Sequence, residues 1–427
     1  MENKTLTFAV IGCGGRGHCY ANCMLHEDPD TYKITSACDI NPERLEYSRN
    51  RWNLNKEQCF TNENEFFKEK RAELLVLATQ DRDHVRQAIK ALELGYHILL
   101  EKPISPVKEE LYALLDAQKK YNKTVLVCHV LRYSPAFVKI KEILDSGVIG
   151  DLRLIESIEQ VAFWHQAHSF IRGNWRREDE TSPMIMQKCC HDMDLLQYYV
   201  GAKCDTVYSV GDLSYFNKEH KPENTPDNCI DCRLRDTCPY SAEYSYIVRW
   251  KEKGSPENLW PFNVITRDYP LTEEKLRYAY ANGPYGRCVF SCDNDVVDNQ
   301  QVLMTFENGV KVSHTMTAFT HGCGRIITLH GTLGEIKFTD DAGKDALQLL
   351  VFGKEPKSYS MDDIAKDAAG FGHGGGDYFL CKQLYDMIKG GAKANTTLTA
   401  SVESHLMALA AEESRKTGKP VKIIHKD

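Results

Sequence analysis

The segment Phe8-Ala9-Val10-Ile11-Gly12-Cys13-Gly14-Gly15-Arg16-Gly17 constrains this chain more than any other. An apolar, strand-like run feeds directly into G-x-G-x-x-G, and a helix-compatible stretch follows. In that pattern the first glycine permits a tight turn and the second lets the backbone approach a pyrophosphate. The third allows close packing of helix on strand. Phosphates then meet the free N–H groups and positive end of the helix. A second β-prone run, 33–38, ends in Asp39, 22 residues after Gly17. A carboxylate there suits the two ribose hydroxyls of an adenosine. It also repels a 2′-phosphate, so the pattern predicts NAD rather than NADP. Gly12, Cys13, Gly14, Gly15, Arg16, Gly17, Asp39 and the nearby Arg44 form the first part of the expected cofactor site.

Strand-like runs at 6–11, 33–38, 74–78, 97–100 and 124–128 alternate with helical stretches such as 83–94 and 106–120. That rhythm predicts an α/β, doubly wound parallel sheet, an N-terminal Rossmann domain over residues 1–130. Ligands of such sheets bind beyond the carboxyl ends of the strands. Thr79, Gln80, Glu101, Lys102 and His129 stand there, with His84 close by, and complete the cofactor set. After 130 the pattern changes. A helix is expected at 134–146 and another at 184–200. Strands are expected at 152–161, 302–306, 311–319, 326–330 and 335–338, with turns such as Glu307-Asn308-Gly309. These predict a C-terminal α+β domain over 131–427, with a large, mainly antiparallel open sheet. Residues 213–290 look like an insertion, rich in Pro, Tyr, Asn and charge and poor in core-forming periodicity. Residues 370–377 read as a glycine-rich loop, and 399–416 as a helix.

Length and charge narrow the function classes. A chain of 427 residues, 42% of them hydrophobic, is long enough for two or three domains and a large core. The net charge of −7 is made of interspersed signs. There is no basic stripe for nucleic acid and no polybasic patch for lipid. The longest apolar runs are too short to span a bilayer. The first residues show no signal-peptide core, so a cytoplasmic location is expected.

The segment Ala78-Thr79-Gln80-Asp81…His84…Leu100-Glu101-Lys102-Pro103 carries the chemistry. With the glycine turn, with His129-Val130-Leu131-Arg132-Tyr133-Ser134-Pro135 and with Lys188-Cys189-Cys190-His191-Asp192-Met193-Asp194, it closely resembles the Gfo/Idh/MocA oxidoreductase family. The resemblance implies that a strand end delivers E-K-P beside the nicotinamide. Lys102 has a role on chemical grounds as well. A hydride leaves a carbinol carbon only if the hydroxyl proton leaves too, and an ammonium near that oxygen stabilises the developing charge and relays the proton. The family's helix commonly reads D-x-x-x-H-x-x-D, its histidine being the usual acid/base. Here His191 holds the histidine position, Gln187 replaces the first aspartate, and Lys188 adds a cation. Asp194 is expected to orient His191 or to anchor the helix. The catalytic candidates are therefore Lys102, His191, Lys188 and Asp194.

Arg132, Tyr133, His165, His168, Arg172 and Trp175 are the candidates for substrate contact, with His321 beside Arg325 as a weaker one. Aromatic faces stack on sugar C–H groups, and arginine pairs with carboxylates. His373, in the glycine-rich loop, stands where a ligand could be covered.

Most of the 16 cysteines lie singly in apolar surroundings. Cys229-Ile230-Asp231-Cys232 followed by Cys238 is different. C-x2-C with a third cysteine suits a tetrahedral structural zinc, the fourth ligand coming from Cys288, Cys292 or His220. An iron–sulfur cluster and free thiols are the other readings of this spacing.

The expected function is NAD-dependent hydride transfer to or from a hydroxyl carbon of a sugar, glycoside, inositol or sugar acid. The same machinery also fits a redox-neutral glycosidase that oxidises a sugar transiently and eliminates its substituent. The expected partner is a small carbohydrate or polyol. The resemblance further implies a homo-oligomer, dimer or tetramer, built on the open sheet.

Overall fold

The computed structural model describes residues 5–426 apart from 27–29, 258, 341–345 and 367–371. Six strands, β1 (Leu6–Ile11), β2 (Tyr32–Cys38), β3 (Cys59–Phe60), β4 (Leu74–Leu77), β5 (His97–Leu100) and β6 (Val125–Val127), form one sheet. Its order is β3-β2-β1-β4-β5-β6, and every pair is parallel. Parallel strands covered on both faces read as continuous apolar runs, and β4 is buried at all four positions. The chain order reverses between β1 and β4, which opens a crevice at their carboxyl ends.

A second sheet holds β7 (Leu152–Gln160), β8 (Cys204–Asp212), β9 (Asn299–Phe306), β10 (Lys311–Thr317), β11 (Gly324–Gly331), β12 (Gly334–Thr339), β13 (Leu347–Val351), β14 (Lys357–Tyr359) and β15 (Val421–Lys422). Its order is β14-β13-β12-β11-β7-β10-β9-β8-β15, antiparallel except where β7 meets β10. The Glu307-Asn308-Gly309 turn joins β9 to β10, with Gly309 at φ +84°. On β9 the alternation is strict. Val302, Met304 and Phe306 face the core, under the helices Cys190–Val200 and Leu398–Thr417, while Leu303 is 57% exposed on the open face.

Two features depart from the sequence reading. The helix Gly376–Ile388 returns to the first sheet and packs on the helix Gly15–His26. Its Leu380, Cys381, Leu384 and Met387 share a core with Leu6, Phe8, Val10 and Tyr20. The insertion also builds a core of its own, in which Tyr246, Trp250, Phe262, Leu276 and Tyr280 are buried together. Aromatic rings bury much apolar area per residue, so a segment without periodicity can still fold. Of the glycine-rich stretch expected as a loop, 370 and 371 lie outside the described residues. From Gly376 the stretch is already helical.

Candidate functional site

The glycine turn forms a cradle with one open side. A Cβ at Gly12, which has φ +91°, would lie 2.2 Å from the Ala78 carbonyl oxygen, and one at Gly17 2.1 Å from that of Gly12. Both positions therefore require glycine. Cβ atoms at Gly14 and Gly15 would meet nothing within 4 Å, so this stretch of backbone faces free space at the start of a helix. That is the geometry a pyrophosphate needs. Asp39, at the end of β2, closes one end of the cradle. Its Oδ2 accepts from Cys13 N at 2.7 Å and its Oδ1 from Asn41 N at 2.8 Å. Two of its roughly four acceptor directions are thus used, and the rest remain for ribose hydroxyls. Arg267, from the insertion, lies close enough to Asp39 and to Arg44 to interact electrostatically with both. The residues present fit an NAD molecule.

Arg16 and Glu101 tie the cradle to the E-K-P strand end. Arg16 Nε donates to Glu101 Oε1 at 2.6 Å, and its Nη2 donates to Asp377 Oδ1 at 2.6 Å. Tyr20 also donates to Glu101, at 2.8 Å. Burial pushes the Glu101 carboxyl up, but Arg16 and Lys102 override it and hold the group below its ordinary value. The Lys102–Pro103 peptide is cis. His84 lies beneath it, its Nδ1 2.8 Å from the Pro103 carbonyl oxygen, and Thr79 donates to Gln87. Both residues support the strand ends from within.

The expected helix at 184–200 breaks after Gln187. The break leaves the Gln187 carbonyl without an intrahelical partner, and Lys102 Nζ donates to it at 3.0 Å. The Gln187 side chain donates instead to Asp81 Oδ2, at 2.8 Å, beside Ser182 at 2.6 Å. His191 stands next to Lys102. Its Nδ1 is buried and unpartnered among the described residues. Burial, reinforced by Lys102 and then by His373 and His129, holds its imidazole neutral, well below the ordinary value. The ring centroids of His373 and His129 lie 5.5 and 5.9 Å from that of His191. His129 is itself buried and neutral, through burial and then Arg132 and Lys102.

The other candidates separate into two groups. His165 faces the Lys102–Lys188 side. Burial, then Lys188, His168 and Lys102, hold it neutral, and its ring packs against Trp164 and Trp260. Lys188 pairs with Glu159 at 2.8 Å, and Arg325 bridges Glu159 and Asp192 at 2.7 and 2.8 Å. Burial works against the Lys188 charge, but Glu159 outweighs it, so Lys188 is a fixed cation rather than a proton acceptor. Asp194 does not orient His191. It is held by a two-pronged ion pair with Arg132, at 2.6 and 2.7 Å, and thereby anchors its helix. Arg132 is consequently not a free substrate contact, its other donors being taken by Asn395 O and Gln197. Tyr133 is a core residue bonded to Thr396 at 3.1 Å. His168 is buried against Tyr246 and stacked on Tyr285, and burial, then Arg172 and Arg249, push it down to about 3. Arg172 lies at the cysteine cluster. Trp175 packs half-buried on the core, and His321 is exposed beside Phe163.

Cys229, Cys232, Cys238 and Cys288 line one cavity of about 30 Å³. Among the described residues no three of these sulfurs lie within 4.8 Å of one another, so the loop is wider than a closed zinc site. A separate groove of about 430 Å³ runs along the last helix, by Arg82, Glu178, Pro183 and Lys416. Its Lys416 pairs with Glu178 and Glu412, and neither Lys102 nor His191 lines it.

Besides Glu159 and Asp377, the residues the sequence did not single out belong to the insertion. Arg249 lies 3.6 Å over the Trp164 ring, and Trp260 packs against Trp164, His165 and His168. Only tertiary packing brings them to the cleft wall; the one hint was their aromatic and cationic type.

Two family models match the chain. The model described as Oxidoreductase family, NAD-binding Rossmann fold, covers residues 6–129, and that described as Oxidoreductase family, C-terminal alpha/beta domain, covers 141–423. The chain is similar to YteT of Bacillus subtilis (strain 168), 24% identical over 367 residues, which is 83% of this chain and 82% of that protein. Among solved structures it shares its fold with a levoglucosan dehydrogenase in complex with NADH. That match has a TM-score of 0.72 and 18% identity, over 99% of this chain and 100% of the other. The WlbA dehydrogenase from Bordetella pertussis, in complex with NADH and UDP-GlcNAcA, matches with a TM-score of 0.70 and 16% identity over all of both chains.

Proposed function

This chain belongs to the Gfo/Idh/MocA oxidoreductase family, an NAD-binding family, and from that premise we propose that it is an NAD-dependent dehydrogenase of a sugar, glycoside, inositol or sugar acid. The observation that carries this reading is the pairing of Lys102 Nζ, held by the Gln187 carbonyl, with a neutral, buried His191. The dehydrogenases of similar fold, acting on levoglucosan or bound to UDP-GlcNAcA, support a carbohydrate substrate.

Bound NAD supplies the hydride acceptor at its nicotinamide. Gly14 and Gly15 would hold its pyrophosphate on the turn that Gly12 and Gly17 shape, and Asp39 would hold its adenosine ribose. Lys102 has N–H donors beyond the one given to Gln187, and these orient the substrate hydroxyl and stabilise its oxygen as charge develops. His191, held neutral by burial and Lys102 before reaction, has a ring nitrogen available to accept the hydroxyl proton as the hydride leaves the same carbinol. His165, with Trp164 and Trp260, walls the cleft and presents apolar faces to sugar C–H groups.

The open face of the second sheet carries Tyr208, Val210 and Leu303, exposed by 37%, 46% and 57%, with Tyr208 directly opposite Leu303. This apolar patch supports a homo-oligomer built on that sheet. No helix among the described residues is long and apolar enough to cross a membrane, and a cytoplasmic setting accords with the 16 cysteines, none of them in a disulfide.

The test is a panel of sugars, inositols, glycosides and sugar acids with purified protein and NAD. NADH formed in about equal amount to product supports the dehydrogenase. Release of an aglycone without net NADH selects the redox-neutral reaction instead. NAD binding without turnover on any member of the panel refutes both.

A further inference from the structure

The four cysteines of the insertion and its end converge although they are distant in sequence. Cys229 N donates to Gly286 O and Cys288 N to Asp227 O, both at 2.8 Å, so Asn228 and Arg287 form a bridge that sets Cys229 beside Cys288. The C-x2-C turn is closed by Cys232 N to Cys229 O at 3.2 Å, and Cys238 N bonds Leu234 O at 2.8 Å. All four line the same cavity, and none is in a disulfide. Cys292 and His220 are not among its lining residues. The Cys292 thiol turns back to the Cys288 carbonyl, and His220 bonds Asn217.

A second observation concerns charge. Arg172 lines this cavity and is 1% exposed. Its guanidinium donates to Arg287 O and Tyr240 O, each at 2.7 Å, and approaches Cys229 Sγ at 3.6 Å. Among the described residues its buried Nη1 has no hydrogen-bond partner, and the guanidinium makes no ion pair with a carboxylate. A buried cation whose neighbours are carbonyls, a thiol and a phenol, with no carboxylate, is costly unless an anion stands near. The anion this site can supply is thiolate sulfur gathered on a metal. Four thiolates around Zn²⁺, or around a [4Fe–4S]²⁺ core, leave a net negative charge that Arg172 would offset.

We propose that Cys229, Cys232, Cys238 and Cys288 ligate a metal centre, a zinc ion or an iron–sulfur cluster, with Arg172 as its buried counter-charge. Zinc requires the sulfurs to close to about 3.8 Å of one another. A cluster needs a wider ring of sulfurs than zinc does. In either case the centre fastens both ends of the segment that carries Tyr246, Arg249, Trp260 and Tyr285 to the wall of the substrate cleft. Holding that wall, rather than hydride chemistry, is its role.

The full-length protein, purified anaerobically without a metal-affinity tag, is assayed for zinc, iron and acid-labile sulfide. About one zinc per chain, or about four irons with matching sulfide and visible absorption, supports the centre and tells the two apart. Less than about 0.2 of either metal, with the thiols freely titratable, overturns it. Cysteine alkylation read by mass spectrometry supplies a measurement that needs no variant. In metal-loaded protein these four cysteines should label at least ~10-fold more slowly than after chelation, while Cys59 labels at one rate in both. Equal rates before and after chelation overturn the assignment. Cys238→Ser should bind at most about a tenth of the wild-type metal. A folded Cys238→Ser variant with its full complement removes Cys238 from the ligand set and overturns the four-cysteine site.

Discussion

Gln187→Glu tests how the second domain meets the E-K-P strand end. In the structure Gln187 Nε2 donates to Asp81 Oδ2 at 2.8 Å, and both residues are 4% exposed. The substitution sets a second carboxylate at hydrogen-bond distance from the first. Two like charges about 3 Å apart repel by about 5 kcal/mol at an effective dielectric of 20. Taking up one proton costs less, about 1.4 kcal/mol for each pH unit above the ordinary glutamate value near 4.3. The pair therefore keeps a proton and becomes a hydrogen-bonded acid–carboxylate pair. The cost is about 3.7 kcal/mol at pH 7 and about 1 kcal/mol at pH 5. The sign follows from linkage. The pair's folded pKa lies above the unfolded value, so its stability is complete below about pH 4 and is lost as pH rises. Urea unfolding of wild type and variant at pH 5 and pH 7 measures the difference. The carbonyl that holds Lys102 belongs to the main chain, so the folded variant should still bind NAD. A deficit below about 1 kcal/mol at pH 7, or one of equal size at both pH values, refutes the donor role of Gln187.

Lys102→Ala should cost roughly 10²-fold or more in single-turnover rate with NAD affinity nearly unchanged, and His191→Ala should do the same; near-wild-type rates in either variant remove that residue from proton transfer. NAD should bind at least ~10-fold more tightly than NADP by calorimetry, and Asp39→Ser should narrow or reverse that preference because Arg44 and Arg267 remain to meet a 2′-phosphate; tighter NADP binding by the wild type contradicts the role given to Asp39. Leu303→Glu should shift the protein to a smaller species in light scattering, since it places a charge in the apolar patch facing Tyr208; an unchanged mass argues against that sheet face as the interface.

Much of the fold was legible because its signals are local. The strands at β1, β2, β4, β5 and β6 are apolar runs bounded by turns, and the observed bounds differ from the expected ones by a residue or so. Strands whose identity comes from pairing were not legible. β3 and β15 have two residues each, and β8 owes its place to pairing with β9, one strand in from the edge of the second sheet. The insertion read as core-poor because its burial is aromatic and irregular. Tyr246, Phe262 and Tyr280 meet through tertiary packing rather than along one helical face.

The site divides along the same line, with charge as the deciding quantity. Glycine positions and the E-K-P strand end are set by backbone geometry, which a short motif encodes. Whether an arginine or aspartate faces a ligand depends on which opposite charge folding brings to it. Arg132 meets Asp194 from another element and is used up as an anchor, although its motif read as a substrate contact. Lys188 meets Glu159 and stays a cation for the same reason. Lys102 donates to a main-chain carbonyl and has Glu101 near it but, among the described residues, no ion pair, so of these three it alone keeps its ammonium unpaired, beside an imidazole that burial has made neutral. A cation inside a fold without an ion pair is expensive, and a ligand that brings an opposite charge or a polar oxygen relieves that cost. The same reasoning distinguishes Lys102 at the cleft and Arg172 at the cysteines from the many paired charges elsewhere in the molecule.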